Sequence, residues 1–366
     1  MAESEKTPEL GLEAQLLTAC YGGENDKVKE LLKTGANIWC TDETGRSPLH
    51  FAAASGDVPT IQTILDAGIP WNVLDIGNYT AGDYAEQGEH TGAYECLVEA
   101  GVRAEMILRA LRETKAEENK KREASNKEYL ESKVEYSGDR LVDAEKNGVM
   151  MEWERPLMIE HAKVICSSPR KVVLNIGFGM GIIDEALQDL KPNKHVIVEA
   201  HPDVYKHMVD EGWDKKPGVH IVFGRWQDKL DEIRSLGPYD GIFFDTFGEF
   251  YQDVDDFQKA ILSAGKEDDG TESKESEPIL KKPDGIYSFF NGLGGDHKLF
   301  QDVYCRIVAS DLSSLGVSIE FTTISTDSVL DPELWKGIKR PYWMLKQYNL
   351  PICKWKQTQL NSAKNF

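Results

Sequence analysis

The sequence predicts an α/β domain with a parallel sheet, preceded by an all-α repeat segment. Three observations lead there. Similar apolar segments recur at a fixed spacing through the first hundred residues. From Glu152 onward, short β-branched runs alternate with helix-length intervals. Finally, "KVVLNIGFGMGIID", residues 171–184, carries one such run straight into three glycines spaced two apart.

The repeat segment comes first. "ELLKTGAN" at 30–37, "TILDAGIP" at 63–70 and "CLVEAGVR" at 96–103 align, with Gly35, Gly68 and Gly101 each 33 residues apart. Ser47 and Ala52 recur as Thr80 and Ala85. Period and content resemble the ankyrin repeat, whose T-P-L-H-x-A signature stands here as Ser47-Pro48-Leu49-His50-Phe51-Ala52. The expected unit is two short antiparallel helices ending at a glycine with positive φ. A single unit cannot bury its own apolar face, so about three stacked units are near the minimum for stability. Residues 1–104 are read as this domain, a surface type that commonly binds proteins.

Residues 105–135 read as a helical linker, rich in Ala, Glu and Lys. Its cluster Lys120-Lys121-Arg122 suits a solvated helix face better than a nuclear signal. In the domain at 136–366, strands are expected at Val172–Ile176, His195–Glu199, His220–Phe223 and Tyr239–Asp245. Helices are expected at "IIDEALQDL" and "VYKHMVDEGW", which gives βαβ units and a parallel sheet. Residues 264–285, charged and low in complexity, read as a flexible acidic insertion. Strand signals resume at "GIYSFF", "VSIEFTTI" and "PYWMLKQY".

Composition bounds the function. The 42 Lys plus Arg stand against 62 Asp plus Glu, a formal net charge of −20. Such a surface repels phosphate backbones, which disfavours direct nucleic-acid binding, and attracts basic partners. The six cysteines form no C-x-x-C pair, which speaks against a zinc ribbon and a disulfide scaffold. His195, His201 and His207 share no metal-ligand spacing with cysteine, so no metal is expected. "MAESEKTPEL" is polar and acidic, unlike a targeting peptide, and no apolar run has the length of a membrane span. A soluble intracellular protein, cytoplasmic and also nuclear, is the expectation.

The glycine turn carries the chemistry. A dinucleotide fingerprint needs G-x-G-x-x-G, but the position for its third glycine is Ile182. The observed G-x-G-x-G of Gly177, Gly179 and Gly181 suits a ligand with an adenosine and an amino-acid arm. Glu199, 22 residues after Gly177 and at the end of the next strand, can accept from both ribose hydroxyls. Together these spacings favour S-adenosylmethionine over NAD.

"VMMEWERPLM", "LNIGFGMGII", "IVEAHPD", "GRWQD" and "DGIFFDTFGE", in that order, resemble the motifs of guanidinoacetate N-methyltransferases. With the repeats in front, the whole chain is similar to the fungal protein arginine N5-methyltransferases, which methylate the δ-nitrogen of arginine. The resemblance implies a Rossmann-like class I S-adenosylmethionine-dependent methyltransferase fold with an N-terminal all-α ankyrin-repeat domain. It implies that Phe178, Gly179, Met180, Gly181, Ile182 and Ile183 wrap the methionine arm of the cofactor. Glu199, with Ala200 and His201 of its motif, would hold the ribose, and Arg225 and Trp226 the adenine edge. Met158 and an upstream aromatic, Tyr136 or Tyr129, would close the pocket. Glu154 and Asp245 match the carboxylates that hold the guanidino group, Asp245 also bordering the cofactor. Asn175 stands where an acid commonly precedes Gly177, and "FFNGLGG" replaces the relatives' Asn-Leu-Thr-Ser. The implied partner is a basic protein substrate, a ribosomal protein among the candidates.

The chemistry of the acceptor is consistent with that pairing. A guanidinium is planar, always charged and a poor nucleophile. Paired carboxylates can fix it by bidentate hydrogen bonds and take up the proton it loses. The same residues also fit a small-molecule guanidino N-methyltransferase, or a non-catalytic ankyrin adaptor that keeps the cofactor fold as scaffold.

Overall fold

The computed structural model describes residues 11–112, 126–246, 251–263 and 277–357. The Lys120-Lys121-Arg122 cluster and residues 264–276 of the expected insertion lie outside them. The chain forms two compact units, residues 1–114 with 294–307, and 115–293 with 308–366.

The first unit is a stack of helix pairs: α1 (Leu12–Tyr21) with α2 (Asn25–Lys33), α3 (Pro48–Ser55) with α4 (Val58–Asp66), and α5 (Ala81–Gln87) with α6 (Thr91–Arg112). α1, α3 and α5 pack in one layer, and α2, α4 and α6 in the other. Gly35 and Gly68 follow their helices with φ of 96° and 101°, as the repeat requires. Gly101 does not: it lies inside α6, which runs on to Arg112. Its task is close packing, since a Cβ there would stand 2.6 Å from Val303 Cγ2 and 3.0 Å from the Trp71 ring. Fully buried His50 explains the repeat signature. Its Nδ1 accepts from the Ser47 N–H (3.0 Å) and its Nε2 donates to the Tyr79 carbonyl (3.1 Å), tying one unit to the next.

In the second unit a helical stretch at 126–131 precedes a three-stranded antiparallel meander, β1 (Val134–Ser137), β2 (Arg140–Asp143) and β3 (Gly148–Met151). A short 3-10 turn, Glu152–Glu154, leads into α7 (Arg155–Ile165). The main sheet then holds β4 (Val172–Ile176), β5 (Lys194–Glu199), β6 (Val219–Phe223), β7 (Gly241–Phe244), β8 (Ile286–Phe289), β9 (Val317–Ser325) and β10 (Gln347–Trp355). Their order is β6-β5-β4-β7-β8-β10-β9, parallel from β6 through β8 and antiparallel at β10 and β9. Connecting helices are α8 (Ile182–Asp189), α9 (Pro202–Asp210), α10 (Leu230–Leu236), α11 (Tyr251–Leu262) and α12 (Lys298–Ser314). The central strands are apolar on both faces, as expected of strands covered on both sides: Val173, Leu174, Val196 and Ile197 are fully buried.

Besides Gly101, two expectations differ from this fold. The strand read at 341–348 begins only at Gln347, because Trp343 is drawn into a core with Trp153, Trp335 and Tyr348. The strand instead runs through Pro351, opposite Phe321 in the ladder. Of the segment read as a flexible insertion, Pro278, Ile279 and Leu280 are buried, and Leu280 bridges Tyr239, while residues 281–284 are exposed. The Ile279 and Leu280 side chains join the core beneath the parallel strands.

Candidate active site

Two cavities adjoin at the carboxyl ends of β4, β5 and β7, where strand order switches direction between β4 and β7. One measures about 140 Å³ and the other about 220 Å³. Val149, Asp245, Thr246 and Asp253 border both.

The glycine turn shapes the smaller cavity. Gly177 follows β4 with φ of 95°, and a Cβ on it would lie 1.8 Å from the Asp245 carbonyl oxygen. Only glycine lets the ends of β4 and β7 come this close. Glu199 ends β5 and borders the same cavity. Its Oε2 accepts from the Phe178 N–H (2.9 Å) and its Oε1 from the His201 N–H (2.6 Å). Each oxygen keeps further lone-pair capacity, so the fixed carboxylate could accept hydroxyls of a ribose. Burial pushes its carboxyl above the usual range, and the backbone donors pull the other way.

Of the residues expected around a cofactor, Gly177, Gly179, Glu199, Ala200, Arg225, Trp226 and Asp245 line this cavity. The others stand back from it. Met158, Phe178, Ile182 and Ile183 are buried core, their apolar side chains packed on the sheet. Gly181 caps α8, and the Met180 N–H meets Met150 Sδ at 3.2 Å. The His201 ring contacts the Ser132 carbonyl and accepts from the Asp203 N–H. Tyr136 props the turn, donating to the Gly179 carbonyl at 2.8 Å and stacking on His207; Tyr129 is the aromatic that borders the cavity. Asn175 is fully buried beneath the turn, where its amide donates to the Gly177 carbonyl at 2.8 Å. Apart from Tyr129, these residues do not line the cavity, and those of the turn set its shape.

The larger cavity joins Glu154 to Asp245, from opposite ends of a long stretch of sequence. Glu154 is 2% exposed at the start of α7. Burial, then the Asp245 charge, raises its carboxyl to about 8, against hydrogen bonds from Tyr342 and the Met151 N–H. Burial raises Asp245 to about 7, although part of its surface stays open to the cavities. Two carboxyls with raised proton affinity, facing one space, are suited to bind a cation and to accept a proton.

Some lining residues escaped the sequence reading. Met150 and Val149 sit inside a motif singled out for its neighbours, whereas Asn126 and Leu130 fall in the segment read as linker. Tyr342 and Asp253 carry no local signal; only folding brings them to the cavities.

The sequence model of guanidinoacetate N-methyltransferase matches residues 96–265, and that of ankyrin repeats (many copies) matches residues 16–65. Curated relatives named protein arginine N-methyltransferase 2 are similar over most of the chain. The one from Aspergillus fumigatus is 35% identical, over 93% of this chain and 95% of its own. The one from Saccharomyces cerevisiae is 34% identical, over 83% and 82%. The one from Yarrowia lipolytica is 41% identical, over 63% of this chain and 47% of its own. With such similarity along nearly the full length of both chains, and a methyltransferase domain behind ankyrin repeats, this protein belongs to the protein arginine N-methyltransferase 2 family.

Proposed function

We propose that this protein transfers a methyl group from S-adenosylmethionine to the δ-nitrogen of an arginine in a basic protein substrate, a ribosomal protein being the class to try first. The observation that carries the reading is the adjoining pair of cavities. One is bordered by the glycine turn and Glu199, the other by Glu154 and Asp245, and they meet at Asp245 and Thr246.

S-adenosylmethionine, when bound, supplies an electrophilic methyl on a sulfonium. Glu199 would accept from the ribose, and Arg225 and Trp226 lie on the same cavity wall. Glu154 and Asp245 would hold the guanidinium and orient the attacking nitrogen. Transfer forms a nitrogen–carbon bond, breaks the methyl's bond to sulfur and frees one N–H proton, which a carboxylate must take. Holding the two reactants in line supplies much of the rate. The net charge of −20 would draw a basic substrate to the enzyme.

The match to the guanidinoacetate N-methyltransferase model supports a second reading, a small guanidino acceptor. One experiment separates the two. Purified protein and an Asp245→Ala variant are incubated with radiolabelled S-adenosylmethionine and either a ribosomal-protein fraction or guanidinoacetate. Labelled protein is then hydrolysed and the methylarginine identified. δ-N-Methylarginine from the parent alone is expected. Terminal methylarginine only, or turnover of guanidinoacetate alone, would overturn the assignment.

A further inference from the structure

Tyr342 belongs to no motif quoted above, yet it reaches the acceptor cavity from the segment just before β10. Its hydroxyl donates to Glu154 Oε1 at 2.5 Å, and the same oxygen accepts the Met151 N–H at 2.9 Å. Both bonds fall on Oε1. Glu154 Oε2 accepts no hydrogen bond from the described residues, although the carboxyl is buried and borders the cavity. Tyr342 is itself held: its oxygen accepts from Trp153 Nε1 at 3.1 Å, and its ring packs edge-on against Trp335 at 5.2 Å. A close approach lets the ring in. A Cβ on Gly148 would stand 2.7 Å from Tyr342 Cε1.

We propose that Tyr342 is a positioning residue of the acceptor site, which occupies Glu154 Oε1 so that Oε2 alone addresses the guanidinium and one nitrogen is presented to the methyl donor. The inference rests on the arginine-methyltransferase reading above. A carboxylate free to rotate could grip a guanidinium through either oxygen and admit several poses. With Oε1 occupied, Glu154 offers one acceptor at one angle, and Asp245 faces the same cavity as the second. The titratable groups bordering this cavity with Glu154 are Asp245, Asp253 and Tyr342.

The test uses the full chain, S-adenosylmethionine and the same ribosomal-protein fraction. Tyr342→Phe keeps the ring and removes the donor. Gly148→Ala keeps the hydroxyl and pushes the ring aside. Losing a hydrogen bond to a charged group should lower the rate near neutral pH about ten- to hundredfold. Since that bond favours the ionised carboxylate, the acid limb of the kcat/KM profile should move to higher pH in both variants. The share of terminal methylarginine in the product should rise. A role in packing alone would depress rate or stability without moving the limb or the product ratio.

If Tyr342→Phe does not fold, Gly148→Ala decides by the same readouts. A parent that makes δ-N-methylarginine, with variants that keep its acid limb and product ratio, would overturn the inference. A parent that labels no arginine would sink the proposed function instead. The Tyr342–Glu154 link is then read from thermal midpoint against pH. In Tyr342→Phe the fall of stability with rising pH should continue to higher pH than in the parent, and an identical curve would overturn the inference on its own.

Discussion

Asn175 and Asp184 share one buried contact: the Asn175 amide nitrogen lies 2.9 Å from both carboxylate oxygens of Asp184 and 2.8 Å from the Gly177 carbonyl. Neither side chain is exposed, and His195 stands 3.0 Å from Asp184 on the other side. A carboxyl group from α8, one helical turn past the glycines, thus stands beside the position just before the glycine turn. An amide at 175 is what allows it, since it donates where a carboxylate cannot.

Replacing Asn175 by Asp would set two carboxyls against each other in a buried site. The new carboxyl would resist ionisation, so its folded pKa would exceed its unfolded one. Stability would then be retained at low pH and lost as pH rises. Asn175→Asp should be destabilised by about 2–4 kcal/mol near pH 8 and far less near pH 5. Thermal unfolding against pH measures this. A deficit constant across that range would mean the two side chains do not meet.

Glu154 and Asp245 make a related prediction with the parent residues in place. Both folded values lie above the ordinary carboxylate range, at about 8 and about 7. Each therefore contributes stability that is full below that range and is lost as pH rises through about 7 and about 8. Glu154→Gln keeps an acceptor for Tyr342 and removes the titration. It should match the parent near pH 5 and exceed its Tm by about 2–4 °C above pH 8, while losing activity. Asp245→Asn should gain less, because its surface is partly open to solvent. Calorimetry at several pH values separates these outcomes from no effect.

His50 makes the repeats sensitive in the opposite direction. Burial lowers its pKa, so the ring is neutral in the fold and its contribution is lost as pH falls below the usual histidine range. His50→Leu keeps the volume but leaves the Ser47 N–H and the Tyr79 carbonyl without that ring. A loss of about 2–3 kcal/mol is expected. Hydrogen exchange on the full chain should show faster exchange of the Ser47 amide. Unchanged protection there would show that the ring does not hold the Ser47 N–H.

Much of the fold was legible because its signals are local. A period of 33 residues repeats one helix pair, and each pair needs the same small residues, cap and glycine at the same places. The parallel strands were legible because both faces are covered, which leaves continuous apolar runs. Gly101 misled for the converse reason: the letter is the same at each repeat, but the third meets Val303 and Trp71, and the helix continues through it. β10 was displaced because a proline in its middle hides a strand, while the aromatic run before it is drawn into the core.

The sequence by itself determined the two architectures, the turn that follows β4, the acid at the end of β5 and the pair of carboxyls at 154 and 245. The first three follow from residue types at short, regular spacings; the carboxyl pair, drawn from distant segments, is what the family resemblance implies. Tertiary structure alone decided which of the motif residues face a cavity and which stand behind it. Phe178, Ile182 and Asn175 share the glycine stretch, yet the turn of the backbone sends them into the core while Gly177 and Gly179 form the wall. It also brought Tyr342 to Glu154. Long-range packing makes that contact, through an aromatic cluster assembled from segments nearly two hundred residues apart, and no local pattern encodes it.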